Sequence, residues 1–426
     1  MLALNVKIPS ILRIVTSAIH TSINSGSNMP TPIVSSKTAS FRKGTGGRCS
    51  FSGNVITVFG STGFLGLHVV NRLAKQGNQI IIPYRQDPYY IRELKVFGEL
   101  GQILFFPFEL KDEESIRRSL RYSNIVINLI GTKIQTRNYS FTDTHVEGSR
   151  RIARLSREMG VERLIHISAL NVSKEPTPGI LKKGSEILKS KAFGEEAVRD
   201  EFPDATIVRP SLMYGEADYF ISYYVSRLRK FPPFDFVWLH KSGLETFRMP
   251  VYVGDVSAGI EKIVLDPTSV GKTYEFVGPH CYRLSELVDY MYAKARCIEK
   301  FGFHYKRYGI PFAFNPVMRT ATFMAEVWSK IFKCNTALMR EWIEFVECTN
   351  DVLTGNPTLV DLGVRPLTEF ELVGGQIAFL RPFRGYYEVS YGDIDPPRLP
   401  LRSPPLTSIK KATSGIFTET KPFAFT

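Results

Sequence analysis

The stretch Gly60-Ser61-Thr62-Gly63-Phe64-Leu65-Gly66 constrains this 426-residue chain more than any other. An uncharged, β-branched run, Asn54–Gly60, leads into it and predicts a buried strand. The stretch that follows, Phe64–Gly77, carries Leu65, Val69, Val70 and Leu73 at helical spacing and closes on a glycine stop. Gly60 permits the tight turn off the strand, Gly63 lets backbone approach an anion with no Cβ in the way, and Gly66 allows close helix–strand packing. The freed N–H groups and the positive end of the helix dipole suit a dinucleotide pyrophosphate. A turn with no ligand is the plain alternative. A glycine triplet alone is weak; the strand before it and the helix after it give this one its weight.

Downstream the pattern repeats. Strands are expected at Gln79–Tyr84, Gln102–Pro107, Asn124–Ile130, Arg163–Ser168 and Ala205–Arg209. Helices are expected near Tyr89–Phe97, Asp112–Arg121, Phe141–Met159 and Lys189–Glu201. Six strands alternating with helices predict an α/β fold, a Rossmann-type doubly wound parallel sheet covered on both faces. Residues 54–280 are expected to form this domain, 281–393 a smaller, mostly helical α/β region, and 394–426 a proline-rich extended tail.

The end of the second strand bears on which dinucleotide. A site for NAD usually offers a carboxylate there to the ribose 2′-hydroxyl. This chain has Tyr84 and Arg85, with no carboxylate before Asp87. A guanidinium can pair with a 2′-phosphate that a carboxylate would repel, so NADP(H) is the expected cofactor. A solvated charge at a strand end remains the other reading of Arg85. Glu109 and Leu110, after the third strand, are placed to flank adenine. Leu129, Ile130 and Gly131, after the fourth, are placed to pass under the adenosine ribose.

No Asp or Glu precedes Asp87, while Lys7, Arg13, Lys37, Arg42, Lys43 and Arg48 stand among many Ser and Thr. A basic, hydroxyl-rich, acid-free segment over 1–45 predicts a mitochondrial transit peptide, with a disordered basic arm as the alternative. With 43% hydrophobic and 22% charged residues, neither a mostly disordered chain nor a polytopic membrane protein is expected. Fifty-four Lys and Arg against 41 Asp and Glu give +13, compatible with nucleic acid, an anionic membrane or an alkaline compartment. Outside the leader no basic stripe interleaves with aromatics, so no nucleic-acid partner is expected. Cys49, Cys281, Cys297, Cys334 and Cys348 show no C-x-x-C or zinc spacing, and H-E-x-x-H is absent, so free thiols and no metal site are expected.

These residues resemble the atypical, extended-type short-chain dehydrogenase/reductases over about Asn54 to Gly278, including Arg209-Pro210 with Tyr214-Gly215 and the run Val251 to Val256. VFGSTGFLG, IIPYR, VINLIG, RLIHISALN and PVYVGDV are similar, more closely, to the nucleotide-binding accessory subunits of mitochondrial respiratory complex I within that family. The resemblance implies that Ser168, Lys191 and Pro210 join the NADP(H) site. It also implies other complex I subunits as partners, at the junction of matrix and membrane arms, on the matrix side of the inner membrane.

In the enzymes of the family a Ser on the fifth strand and a Tyr-x-x-x-Lys on the next helix polarise and protonate a carbonyl. Ser168 matches the Ser and Lys191 the Lys, but Ile187 stands where the Tyr would be. For Lys191 a solvated helix lysine is the other reading. Tyr139 and Tyr214 are the nearest tyrosines, on other elements. Loss of the general acid typically costs ~10²–10⁴ in rate, so a structural or sensing nucleotide and no turnover are expected. A free-standing mitochondrial NADP-dependent reductase or epimerase is the alternative. His166 shares a strand face with Ser168 by period two, as a hydrogen-bonded neighbour of the cofactor. Further on, a helix over Tyr219–Phe231 is expected, and Leu359–Val373 suggests one beginning after Pro366. Arg319–Lys333 sets Phe323, Met324, Val327, Trp328, Ile331 and Phe332 on one face. It either packs on its own domain or lies on a membrane surface or hydrophobic partner, and the resemblance favours the second. The tail from Ile394 cannot fold alone and is expected to gain order on a partner.

Overall fold

The computed structural model describes residue 44 and residues 47–85, 87–136, 138–225, 230–231, 236–295, 306–332, 339–380 and 397–408. Apart from Gly44 the expected leader lies outside these, as do 394–396 and 409–426 of the expected tail, 226–229 of the helix expected at Tyr219–Phe231, and Lys333. In chain order the main elements up to residue 276 are β1 (Val55–Phe59), α1 (Phe64–Lys75), β2 (Gln79–Tyr84), β3 (Ile103–Pro107), α2 (Glu113–Leu120), β4 (Ile125–Asn128), α3 (Gly148–Glu158), β5 (Arg163–Ile167), α4 (Glu186–Glu201), β6 (Thr206–Pro210), α5 (Phe220–Val225), α6 (Val253–Leu265) and β7 (Thr273–Phe276).

β1 is uncharged, with Thr57 its one polar side chain and that hydroxyl satisfied by the Ser119 carbonyl, because both of its faces are covered. Ile56 and Val58 join Val69, Val70 and Leu73 of α1 and Val256 and Ile260 of α6 in one core. Phe59 joins Ile116, Leu120, Ile152, Leu155 and Val198, from α2, α3 and α4, in a second. Among the described residues the main sheet has seven strands in the order β3-β2-β1-β4-β5-β6-β7, every pair parallel. The seventh, β7, extends the six expected from the alternation by pairing with β6. Between β3 and β4 the chain crosses the sheet, so Phe59 and Asn128 end side by side at the topological switch point. That is where doubly wound sheets open a crevice for a ligand.

A separate core lies beyond the main sheet, in which Tyr214, Tyr224, Trp238, Tyr282, Leu287, Ile343 and Phe370 are buried together. This core draws on residues from both sides of residue 280. Its helices are α7 (Leu284–Lys294), α8 (Pro316–Phe332) and α9 (Phe370–Leu380). Helix α9 begins after Pro366, as the sequence suggests, and runs on past Val373 to Leu380. Gly363 turns the chain at φ +77°, and the Thr368 N–H donates to Asp255 Oδ2 at 2.7 Å while Tyr214 Oη donates to the Thr368 carbonyl. Backbone committed to those partners cannot join a helix. The tail also departs from expectation. Arg402–Ser403 pairs antiparallel with Cys281–Arg283 and Leu406–Thr407 pairs with Val352–Leu353, so residues 402–407 gain their order on this chain itself.

Candidate nucleotide site

The glycine loop leaves β1 at the switch point and enters α1. Gly60 has φ +80°, and a Cβ there would stand 3.0 Å from the Leu129 carbonyl carbon and 3.1 Å from the Ile130 nitrogen. A Cβ on Gly66 would meet Ser61 Cα and its carbonyl oxygen at 2.5 Å, so this glycine closes the loop upon itself. Gly63 caps α1 without a side chain, and the first turn of the helix holds no acidic residue. Its N–H groups thus face the crevice with no built-in anion. Ser61 and Leu65 are buried, Phe64 is half-buried, and Thr62 and Gly63 are exposed. The buried Ser61 Oγ has no hydrogen-bond partner among the described residues. Such a hydroxyl typically costs about 1–3 kcal/mol, and a bound phosphate oxygen would satisfy it.

The ends of β2, β3 and β4 line the adjoining rim. Arg85 is exposed, with its guanidinium carbon 5.3 Å from the centre of the Tyr139 ring. Lys111 Nζ lies 4.9 Å from the same ring centre and donates to the Asn138 carbonyl. Tyr139 Oη donates to Glu109 Oε1 at 3.4 Å. Arg85, Lys111 and Tyr139 therefore form one cation–aromatic cluster beside the ends of β2 and β3. Glu109 is exposed beside it, whereas Leu110 is buried against Gly148 and its carbonyl accepts from Arg151. Leu129 and Ile130 are half-buried, and Gly131 is exposed. The sequence reading missed Lys111, although its place just past a strand end carries the same signal as Arg85.

Ser168, Lys191 and Pro210 come together at the ends of β5 and β6. Lys191 Nζ donates to the Ser168 carbonyl at 2.9 Å, and the Leu170 N–H donates to the Pro210 carbonyl. Ser168 Oγ is buried with no hydrogen-bond partner among the described residues, a second hydroxyl open to a ligand. Burial pulls the Lys191 ammonium down to about 8, against the opposing pull of the Glu195 carboxylate. Glu195 is itself held by Arg209 at 2.7 and 3.0 Å. His166, on the same strand face as Ser168, meets Asn128 Nδ2 through Nδ1 at 3.2 Å, and burial lowers it to about 4. His145 Nε2 accepts from the Thr132 N–H at 3.1 Å and Nδ1 lies 2.7 Å from Ser190 Oγ, with burial lowering it to about 3. Both histidines are neutral links between elements. Among the described residues no cluster of His, Cys, Asp or Glu could hold a metal.

Residues 56–275 match the model of the NAD dependent epimerase/dehydratase family. Over 347 residues the chain is 41% identical to the mouse (Mus musculus) NADH dehydrogenase (ubiquinone) 1 alpha subcomplex subunit 9, mitochondrial, covering 80% of this chain and 84% of that protein. The chain belongs to the epimerase/dehydratase family, among its subunit 9 members. A fungal relative, the NADH-ubiquinone oxidoreductase 40 kDa subunit, mitochondrial, of Neurospora crassa, is 40% identical over 247 residues, covering 57% of this chain and 62% of that one. Among solved structures, the terminal R domain from the myxalamid PKS-NRPS biosynthetic pathway aligns with a TM-score of 0.51 at 18% identity, over 81% of this chain and 92% of that one, and shows the fold alone.

The start of α4 is tied to a distant part of the chain. Ile187 lies on the first turn of α4 and is buried. Its N–H and the Ser185 hydroxyl both donate to Glu341 Oε1, at 2.9 and 2.7 Å. That cap explains why α4 starts at Glu186, ahead of the expected Lys189. Neither tyrosine singled out from the sequence stands in for the missing phenol. Tyr139 is engaged with Glu109, Arg85 and Lys111, and Tyr214 is fully buried with its hydroxyl on Thr368 and its ionisation pushed far up, first by burial. Tyr219, which no sequence signal marked, turns its ring face to Lys133. Among the described residues no helix is long and apolar enough to cross a membrane.

Proposed function

We propose that this chain is a non-catalytic accessory subunit of mitochondrial NADH:ubiquinone oxidoreductase, holding NADP(H) as a structural or sensing cofactor. It works with other subunits at the junction of matrix and membrane arms, on the matrix side of the inner membrane, and supports assembly or stability there. The names of its relatives, as mitochondrial subunits of NADH dehydrogenase (ubiquinone) and NADH-ubiquinone oxidoreductase, support the assembly. The cluster Arg85–Tyr139–Lys111 carries the choice of cofactor: two cations and a ring at the expected adenosine end suit a 2′-phosphate, and the Glu109 carboxylate beside them is engaged by Tyr139. The glycine loop with the α1 N-terminus would hold the pyrophosphate, and Ser168 and Lys191 would orient the nicotinamide ribose. NADP(H), when bound, supplies a transferable hydride at its nicotinamide ring. At the place of the family's tyrosine, Ile187 is buried with its N–H on Glu341 and has no proton to hand to a substrate.

A ligand present at 100-fold over its Kd adds about 2.7 kcal/mol to folding stability, which is a sufficient role for a nucleotide that is never turned over. The test has two arms. Denaturing the purified protein and separating the released nucleotide should give NADP(H), and Arg85→Ala with Lys111→Ala should reduce its retention while leaving weak NAD(H) binding unaltered. Native electrophoresis of mitochondrial membranes should place the chain in the high-mass respiratory band. Release of NAD(H) alone, or a position wholly in the low-mass soluble fraction with carbonyl reductase turnover, would overturn the proposal.

A further inference from the structure

Lys133 follows β4 in the loop that also carries Leu129–Gly131. Its Nζ stands 3.0 Å from the centre of the Tyr219 ring and 4.6 Å from that of Trp342. Trp342 belongs to Arg340–Cys348, a short helical segment far along the chain. Three carboxylates on this segment, each three residues from the next, fasten three different parts of the cleft's substrate side. Glu341 caps the start of α4. Glu344, fully buried, accepts from the N–H groups of Gly179, Ile180 and Leu181 at 2.7, 2.5 and 3.1 Å. Glu347, also fully buried, accepts from the His240 N–H and the Tyr223 hydroxyl. Arg340 ties the head of the segment to Glu326 of α8.

From this arrangement we infer that Arg340–Cys348 is a plug built into the chain, with the grip of Trp342 on Lys133 as its latch, so that nucleotide release requires the plug to open. The inference rests on the reading of the cleft as a nicotinamide-nucleotide site. The carboxylates are spent on main-chain N–H groups that would be left unpaired if the segment lifted, so the plug opens as a unit or not at all. The Lys133–Trp342 contact is different in kind. It is made to a side chain of the same loop that frames the nucleotide, through a ring face that requires no matched donor and acceptor. It is therefore the contact most easily exchanged when the loop moves with its ligand.

The test uses the full chain loaded with NADPH and follows its fluorescence during a chase with excess NADP⁺. In Trp342→Ala and Glu344→Gln, release should quicken by about tenfold or more while the association rate changes little, as expected when contacts formed after encounter are removed. Release at the wild-type rate in both variants would overturn the plug. If Glu344→Gln does not fold, Lys133→Met takes its place in the comparison. If wild-type protein binds no NADPH, the nucleotide reading fails, and the plug is judged separately by hydrogen exchange of the nucleotide-free chain. Amides 179–187 should lose protection in Trp342→Ala; unchanged protection would overturn the plug on that ground too.

Discussion

Gly66 and Ile187 show how differently two residues of one site can be read. Gly66→Ala would drive a methyl against the backbone of Ser61, which has nowhere to go between β1 and α1. The expected outcome is loss of retained nucleotide together with a fall in stability of about 1–3 kcal/mol, the usual range for overpacking, seen as a lower Tm even in stripped protein. A variant that kept both would mean that the loop's closure is unimportant. Ile187→Tyr is the opposite experiment, restoring the missing phenol. Its position is buried and its N–H is held by Glu341, so the new ring would be forced into the core and away from any carbonyl. The variant should be destabilised by a comparable amount and should still reduce no carbonyl substrate in a NADPH-oxidation assay. The glycine was legible in the sequence because its steric need is local. Burial at Ile187 was not, since the carboxylate over it comes from residue 341.

At the scale of elements, the parallel sheet and its glycine loop were legible because each strand and helix declares itself through its own periodicity and stops. The segments after about residue 215 were not. Residues 340–353 carry no run of period two or long helical stripe, and their conformation is fixed by partners remote in sequence. Asp351 accepts from Arg248 Nη1 at 2.7 Å, from Ser211 Oγ at 2.5 Å and from the Met249 N–H at 2.8 Å, with both members of the ion pair buried. Asp351→Asn keeps the shape and removes the charge, leaving Arg248 buried without its counter-ion. Breaking a buried pair from one side typically costs 3–5 kcal/mol. A drop of that order in denaturant unfolding, with loss of the near-ultraviolet aromatic signal, is the expected result; a change under about 1 kcal/mol would show that the carbonyls of Phe345 and Val346, which also accept from Arg248, suffice alone.

For the whole molecule, the buried bases decide how stability responds to pH. His166 and His145 titrate at about 4 and about 3 in the folded chain against 6.5 when free, burial being the first cause in each. The unfolded chain therefore binds more protons than the folded one between pH 6.5 and about 3, so the histidine contribution to stability is full above 6.5 and falls as pH drops through that window, by up to about 1.4 kcal/mol per pH unit for each histidine. Lys133 and Lys191, at about 7 and about 8 against 10.5, follow the same sign higher up: the folded protein without ligand loses stability as pH falls from 10.5 towards 7. In Lys133 burial is opposed by the Asp218 carboxylate and joined by repulsion from Lys191. An anionic nucleotide held beside them would raise both pKa values and remove most of the alkaline limb while leaving the histidine limb untouched. Thermal melting across pH 4–10, with and without NADPH, reads this directly. Loading should flatten the curve between pH 7 and 10 only. A parallel upward shift at every pH would mean that the bound nucleotide is not in electrostatic contact with Lys133 and Lys191 and that the cleft must be mapped afresh.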